Sequence, residues 1–389
     1  MEEQSSSSAA AVTDSKAGLV LSSVAEVVER VLSFVPTRSL LRSAGVCRLW
    51  RNCARRVLRT QQRMTWLAVA GDSRQDGHAL LHVLDKELEN VYLLPQTVVL
   101  MMDNENFSSP ECCNQKKARR SSSSEEVNVT EMLQRVFPKS CVTVGITTPG
   151  IVLTPQSPAS ATPQEYEEGQ AGFALLFPNI DRVQITHFHF CKHTLTTEAM
   201  EQAGLVGNSA LRVVLLFCYK TYKSGASQFM NKLLKPFSHT NVLIAGGHVD
   251  SAFSPHRDCC SPSAYGVVGV ALSGARVQGA SVLLEQEVSS AAASEAVMQR
   301  LKAARVPECN TIGLMFACVG RGHRYYNNEH GVESAAFRKV FPSVPLFGFF
   351  GNGEIGCDRI VKDSFTLSHT HTDELQHGYT TVMALVHLG

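Results

Sequence analysis

No apolar run in this sequence approaches the ~20 residues that a membrane-spanning helix needs. An excess of charge of either sign is also missing: 36 Lys and Arg against 35 Asp and Glu leave a formal net charge of +1. The first absence excludes a helical membrane span within these residues. The second argues against a chain devoted to nucleic acid or acidic membranes. None of the twelve cysteines stands in a Cys-x-x-Cys pair, so neither a zinc framework nor a dithiol redox motif is readable. The opening MEEQSSSS is acidic and polar, unlike a secretory signal. The thiols are therefore expected reduced, in a cytoplasmic and nuclear protein. No glycine loop matches a Walker or dinucleotide fingerprint, and there is no Gly-x-Ser-x-Gly elbow. What is present is 389 residues with 44% hydrophobic content, enough for two or three domains and a sizeable core.

The most informative stretch is residues 24–58, VAEVVERVLSFVPTRSLLRSAGVCRLWRNCARRVL. Val24, Val27, Val28, Val31, Leu32 and Val35 recur at helical spacing and give one helix a wide apolar stripe. Pro36 ends it, because proline disfavours helical geometry in the residue before it. Leu40, Leu41 and Ala44 mark a short second helix. Val46, Leu49, Trp50, Cys53, Val57 and Leu58 mark a third. Three helices of this size bury too little to stand alone, so an apolar face must dock on something else. From Arg30 to Gly71 there are nine arginines and no acid. Arg48, Arg51, Arg55 and Arg59 fall on one side of the third helix and read as its solvated face. A nucleic-acid footprint would carry a recognition turn or interleaved aromatics.

The order of an apolar helix, a break, a Leu-rich helical turn and then Val46-Cys47-Arg48-Leu49-Trp50 resembles an F-box. Most F-boxes open with a Leu-Pro pair, where this chain has Ser22, Ser23 and Val24. The resemblance implies that these helices bind the adaptor Skp1, and through it cullin and RING subunits. The contact set it implies is Val24, Val27, Val31, Leu32, Val35, Leu40, Leu41, Val46, Leu49 and Trp50, with Trp50 and the Leu40/Leu41 pair as preferred anchors.

The expected organisation is a disordered tail at 1–17, the F-box at 18–62 and a large body beyond. The body holds polar inserts at 103–128 and 154–170. In the first insert Lys116, Lys117, Arg119 and Arg120 could form a nuclear import signal, and the serines beside them could be kinase sites. The body repeats one pattern of apolar strand, amphipathic helix and apolar strand. RVVLLFCY, SQFMNKLL and NVLIAGG show it, and TIGLMFACVG, ESAAFRKVF and VPLFGFFGNG show it again about 100 residues later. A fainter copy reads MTWLAVAG, EMLQRVFP, CVTVGITTPG and GFALLFP. Strands apolar on both faces must be covered on both sides. The string Phe347-Gly348-Phe349-Phe350-Gly351-Asn352-Gly353-Glu354-Ile355-Gly356 resembles the FIST domain, a sensory module whose bacterial members are thought to bind small ligands. The resemblance covers about Thr65 to Gly389, as an N-terminal part (63–250) and a C-terminal part (251–389). The fold class expected is α+β / α/β: a small three-helix F-box, then an α/β body of repeated strand-helix-strand units.

Three strand ends run into glycine-rich loops and form the candidate pocket for a ligand or target: Gly246 and Gly247; Cys318, Gly320, Arg321 and Gly322; and Gly351, Asn352, Gly353 and Glu354. Glycine lets backbone approach a ligand. Arg321 could hold a carboxylate and Glu354 an amine. Equally, the glycines could only make tight turns, with the two charges paired to each other or solvated. A neighbouring arginine would favour the Cys318 thiolate, whereas most strand cysteines are inert core residues. His187, His189, Cys191 and His193 alternate, so on a strand they share one face. A polar sheet face is the preferred reading over half a zinc site. His369, His371 and His377 read as solvated loop. No catalytic residue, cofactor or metal is expected.

The resemblances together imply the substrate-recognition subunit of an SCF ubiquitin ligase, not itself an enzyme. Its F-box would bind Skp1, and its FIST-like body would recruit targets for ubiquitination and proteasomal degradation. The alternative is an intracellular small-ligand sensor whose pocket controls partner binding.

Overall fold

Successive side chains of a strand point to opposite faces, and in the central strands of the body both faces are covered, which sets the architecture. The computed structural model describes residues 16–70, 84–104, 136–156, 162–168, 171–238, 240–255, 264–362, 365–368 and 375–389. The chain divides into two compact units: residues up to 61 together with 89–94, and the rest.

Among the described residues the first unit has four α-helices: α1 (Lys16–Ser23), α2 (Ala25–Leu32), α3 (Thr37–Ser43) and α4 (Arg48–Thr60). The sequence pattern showed three. The additional α1 ends where the Ser22 and Ser23 hydroxyls donate to Leu19 O at 2.9 and 2.6 Å, a local bond that competes with continuation of the helix. Val28 and Leu32 of α2, Leu40 of α3 and Cys53, Ala54 and Val57 of α4 form the core. Cys47 caps α4, its sulfur accepting from the Trp50 N–H at 3.5 Å, and the Trp50 indole donates to Leu21 O at 2.9 Å. Trp50 of the Val-Cys-Arg-Leu-Trp string thus ties α4 to α1, while Cys47 caps α4 itself. Residues 89–94 join from a distance in sequence. The Thr37 N–H donates to Val91 O at 2.8 Å, and Arg38 pairs with Glu89 at 2.6 Å.

The second unit is one strand pattern written three times. Its first copy runs β1 (Thr65–Ala70), β2 (Thr97–Asp103), β3 (Val142–Thr148), β4 (Gly150–Leu153), β5 (Gln164–Tyr166) and β6 (Ala171–Phe177). Its second runs β7 (Gln184–Cys191), β8 (Leu211–Tyr219), β9 (Leu243–Val249), β10 (Ser251–Phe253) and β11 (Gly266–Ser273). Its third runs β12 (Gln278–Leu284), β13 (Thr311–Cys318), β14 (Leu346–Gly351), β15 (Glu354–Gly356), β16 (Arg359–Lys362), β17 (Phe365–Ser368), β18 (Gln376–His377) and β19 (Thr381–His387). The sheets order as β1-β6-β2-β3-β10, as β18-β15-β9-β8-β11-β7, and as β17-β16-β12-β19-β13-β14-β4-β5. In each copy the second and third strands are parallel and the last strand inserts antiparallel between the first and second. The short strand after the third leaves for another sheet: β4 pairs with β14, β10 with β3, and β15 with β9. The three exchanges close a ring.

One correction concerns the faint first copy. Its parallel pair is β2 with β3, whereas the MTWLAVAG segment is the antiparallel edge strand β1. An apolar run alone does not say which neighbour it pairs with in parallel. Residue 250, where the two body parts were expected to meet, lies between β9 and β10, and strands from both sides of it build every sheet. The 154–170 insert contains β5, while 105–128 and the tail to residue 15 lie outside the described residues.

Inward residues of the three sheets form one core: Val213, Leu215 and Phe217 of β8, Ile312, Leu314 and Phe316 of β13, and Val99 and Met101 of β2. Phe316 lies 4.9 Å from Phe349 and 6.0 Å from Phe217, ring to ring. Outward residues meet helices. Val214, Leu216 and Cys218 pack with Phe229, Met230 and Leu233 of the helix Ala226–Leu234. Met315 and Ala317 pack with the helices Ala291–Ala303 and Val332–Val340. The amphipathic segments between parallel strands are the crossover helices.

Candidate functional site

On α2 the inward positions are Val28 and Leu32, while Val27 and Val31, with the N-cap Val24, turn a second apolar row outward beside the charged Glu26 and Arg30. Val24, Val27 and Val31 are exposed by 36%, 38% and 45%. Leu19, Phe34, Leu41 and Val46 add exposed apolar surface in the same unit. Of the expected contact set, Val24, Val27, Val31, Leu41 and Val46 are open to solvent, and Val35, Leu49 and Trp50 are half-buried. Leu32 and Leu40 fill the unit's own core. Arg48, Arg51, Arg55 and Arg59 are all exposed along α4, and Arg56 reaches Glu29 of α2 at 2.7 Å.

The glycine-rich ends make crossovers. The His248 N–H donates to Gly353 O at 2.8 Å, and the Asn352 N–H donates to His248 O at 3.2 Å, so the loop after β14 packs on β9. A Cβ on Gly247 would stand 2.6 Å from Gly353 O, and one on Gly351 would stand 2.5 Å from His248 O. Gly246, Gly247, Gly351 and Gly353 therefore pack backbone against backbone, and Asn352 is exposed beside them. At the end of β13, Arg321 is 1% exposed and all five of its donors are used. Nε pairs with Glu333 at 2.8 Å. Nη1 donates to Glu285 O and Tyr379 O, and Nη2 to Val288 O and Tyr326 Oη. A free guanidinium for a ligand and a pairing with Glu354 were both expected readings, and this geometry replaces them. Gly322, next to Arg321, lies against the Glu167 carboxylate.

Glu354 is buried, and Oε2 accepts from the Thr380 N–H and hydroxyl at 3.2 and 2.7 Å. Burial pushes its carboxyl up to about 7, against the opposing pull of those bonds. Burial also raises the Cys318 thiol, and the Glu354 carboxyl beside it works in the same direction. Both effects disfavour the thiolate, and the neighbouring Arg321 is bonded to Glu333. Gly320 lies under the Tyr379 ring.

His189 is buried on β7 with both ring nitrogens bonded, to Ser254 Oγ and Tyr219 Oη at 2.8 Å each. His193 lies past the strand end and is exposed. His377 bonds Gly356 O at 2.8 Å, whereas His369 and His371 lie outside the described residues. Two features were invisible in the sequence. Glu167, His323 and His330 come together across 156 residues of chain separation. A crevice of about 540 Å³ lies between β12, β16 and the helix Ala291–Ala303, lined by Val282, Leu301, Ala304 and Ile360 and by the Arg300–Asp358 pair.

Family models match this chain in three places: the F-box domain at residues 25–62, the FIST N domain at 120–288 and the FIST C domain at 268–357. The helices and the body therefore define an F-box protein with a FIST body. F-box only protein 22 from Homo sapiens and its counterpart from Pongo abelii are each 51% identical over 388 residues, spanning 97% of this chain and 96% of theirs. The chain belongs to the F-box only protein 22 family, and this relationship supports the role of an SCF F-box adaptor. Among solved structures, a cyanuric acid hydrolase from A. caulinodans aligns at a TM-score of 0.36 and 8% identity, covering 83% of this chain and 98% of that one. A second cyanuric acid hydrolase aligns at 0.36 and 10%, covering 84% and 99%.

Proposed function

We propose that this chain is the non-catalytic substrate-recognition subunit of an SCF ubiquitin ligase, acting in cytoplasm and nucleus. The outward stripe of α2 binds Skp1, which links to cullin and RING subunits. The FIST body holds a target protein for ubiquitination and degradation. The mechanism is proximity, which raises the effective concentration of target lysines near a charged conjugating enzyme. The observation that carries this reading is the second apolar face of α2. The unit's own core already covers Val28 and Leu32, yet Val24, Val27 and Val31 stay in water. Burying a Val side chain is worth roughly 1.5–3 kcal/mol, so an uncovered row of them favours a partner.

Co-purification with Skp1 tests it. Val27→Asp with Val31→Asp changes only outward positions and is expected to weaken Skp1 binding by about 30-fold or more, at about 2 kcal/mol of lost hot-spot energy. The circular dichroism of the chain should not change. Retained binding with a normal spectrum would overturn the assignment. Trp50→Ala is the poorer probe, because it also removes the bond to Leu21 O. The small-ligand alternative draws on the crevice beside Arg300 and Asp358 rather than on the glycine-rich ends. A ligand-induced thermal shift that Arg300→Ala abolishes would favour it.

A further inference from the structure

We propose that Glu167, His323 and His330 form a site for one divalent transition-metal ion of the zinc class. One donor atom of each lies within 4.8 Å of the donors of the other two. Glu167 is held twice by His323: the backbone N–H donates to Oε1 at 2.6 Å, and Nδ1 lies 2.7 Å from Oε2. The His323 and His330 rings stack face to face, 4.5 Å between centroids and 14° from parallel.

The loop that carries both histidines is built to hold this arrangement. Tyr325 and Tyr326 N–H groups donate to Gly322 O and His323 O at 2.9 and 3.1 Å, and the Asn328 N–H donates to His323 O at 2.8 Å. Asn327 and Asn328 take left-handed φ values of 56° and 67°, which turn the chain so that His330 returns over His323. Gly322 leaves room for the carboxylate, since a Cβ there would stand 1.9 Å from Glu167 Oε2. Beneath the loop, the saturated Arg321 and the Tyr326–Glu333 bond fix its base.

Two imidazoles and one carboxylate suit zinc, cobalt or nickel, whereas calcium and magnesium want oxygen donors throughout. Metal–donor bonds of about 2.0–2.1 Å place tetrahedral donors about 3.3 Å apart. The His323–Glu167 pair already stands near that separation, and the exposed His330 closes the remainder by turning about its own side chain. The ion replaces the hydrogen bond between His323 Nδ1 and Glu167 Oε2, whose atoms part from 2.7 Å to about 3.3 Å, and the bridging proton leaves to solvent. At least one coordination position stays open to water.

Cobalt(II) is the probe, because its visible bands report nitrogen and oxygen donors, whereas thiolate ligation gives a separate near-ultraviolet charge-transfer band. The full chain is expected to take up one equivalent of cobalt(II) without the thiolate band, and zinc(II) should displace it. His330→Ala alters an exposed side chain. It is expected to weaken uptake at least 10-fold while leaving the metal-free unfolding temperature unchanged, and Glu167→Gln should weaken uptake as well. No stoichiometric uptake, uptake undiminished in both variants, or a thiolate band would each overturn the assignment.

Discussion

Buried charge at single residues sets two properties of the body. Arg321 and Glu333 are 1% exposed and pair in the interior, so removing one partner strands the other. Arg321→Met is expected to lower stability by about 3–5 kcal/mol, read by urea unfolding. A loss below about 1 kcal/mol would show that the network is dispensable. Glu165 and Glu354 both carry carboxyls raised to about 7 from the ordinary 4.5. Burial is the main cause in each, and the nearby Glu333 adds to it at Glu165. Between pH 4.5 and about 7 the folded chain therefore holds protons that the unfolded chain has released. Stability from these groups is complete below pH 4.5 and declines as pH rises to about 7, by at most about 1.4 kcal/mol per pH unit per group. His248 and His387, lowered by burial, push the other way below their ordinary 6.5. The difference between the wild type and Glu354→Gln isolates the carboxyl: the variant's stability should be flatter with pH across that window. Parallel pH profiles would contradict this account.

In each sheet a glycine of the third strand stands opposite the visiting short strand. Gly145 faces Phe253, Gly246 faces Ile355, and Gly348 faces Val152. They recur about 100 residues apart, one per copy, and the crowding is severe. A Cβ on Gly246 would stand 1.8 Å from Leu216 O, and one on Gly348 would stand 1.7 Å from Met315 O. Gly246→Val is expected to drive β9 away from β8, because the side chain would collide with the Leu216 carbonyl, and so to unseat β15, at a cost of more than about 4 kcal/mol, the range of severe core lesions. Soluble, cooperatively unfolding protein at near-normal yield would show that the strand exchange tolerates a side chain. Asn352→Ala, on the exposed turn beside it, should be nearly silent by the same measure.

The ring of exchanged strands makes the body one cooperative object. A chain that stops at residue 250 lacks β10, β14 and β15, which leaves β3, β4 and β9 each with one edge unpaired. Unpaired strand edges recruit other chains, so that fragment is expected to aggregate instead of yielding a folded half. A monomeric fragment with a sharp thermal transition would refute the closed-ring description. The helical unit is a separate compact body. Charges placed at Val27 and Val31 should weaken Skp1 capture without shifting the unfolding of the remainder.

Periodicity and motif order alone determined the helical unit with its apolar stripe, the α/β class, the recurring strand-helix-strand unit and the F-box and FIST resemblances. These follow from local spacing, which burial obeys residue by residue. Tertiary structure decided which side of each pattern meets water. Leu32 and Leu40 point inward while Val27 and Val31 do not, although all four share one apolar signal. It also decided the partners of Arg321, because Glu333, Tyr326 and three distant carbonyls converge on it through a fold that no local spacing encodes. The glycine-rich ends looked like ligand cradles for the same reason. Glycine marks close backbone approach, and only the assembled sheets show that the approaching group is another strand. Glu167 meets His323 and His330 only after β5 joins the sheet that contains β13, a contact between segments far apart in the chain.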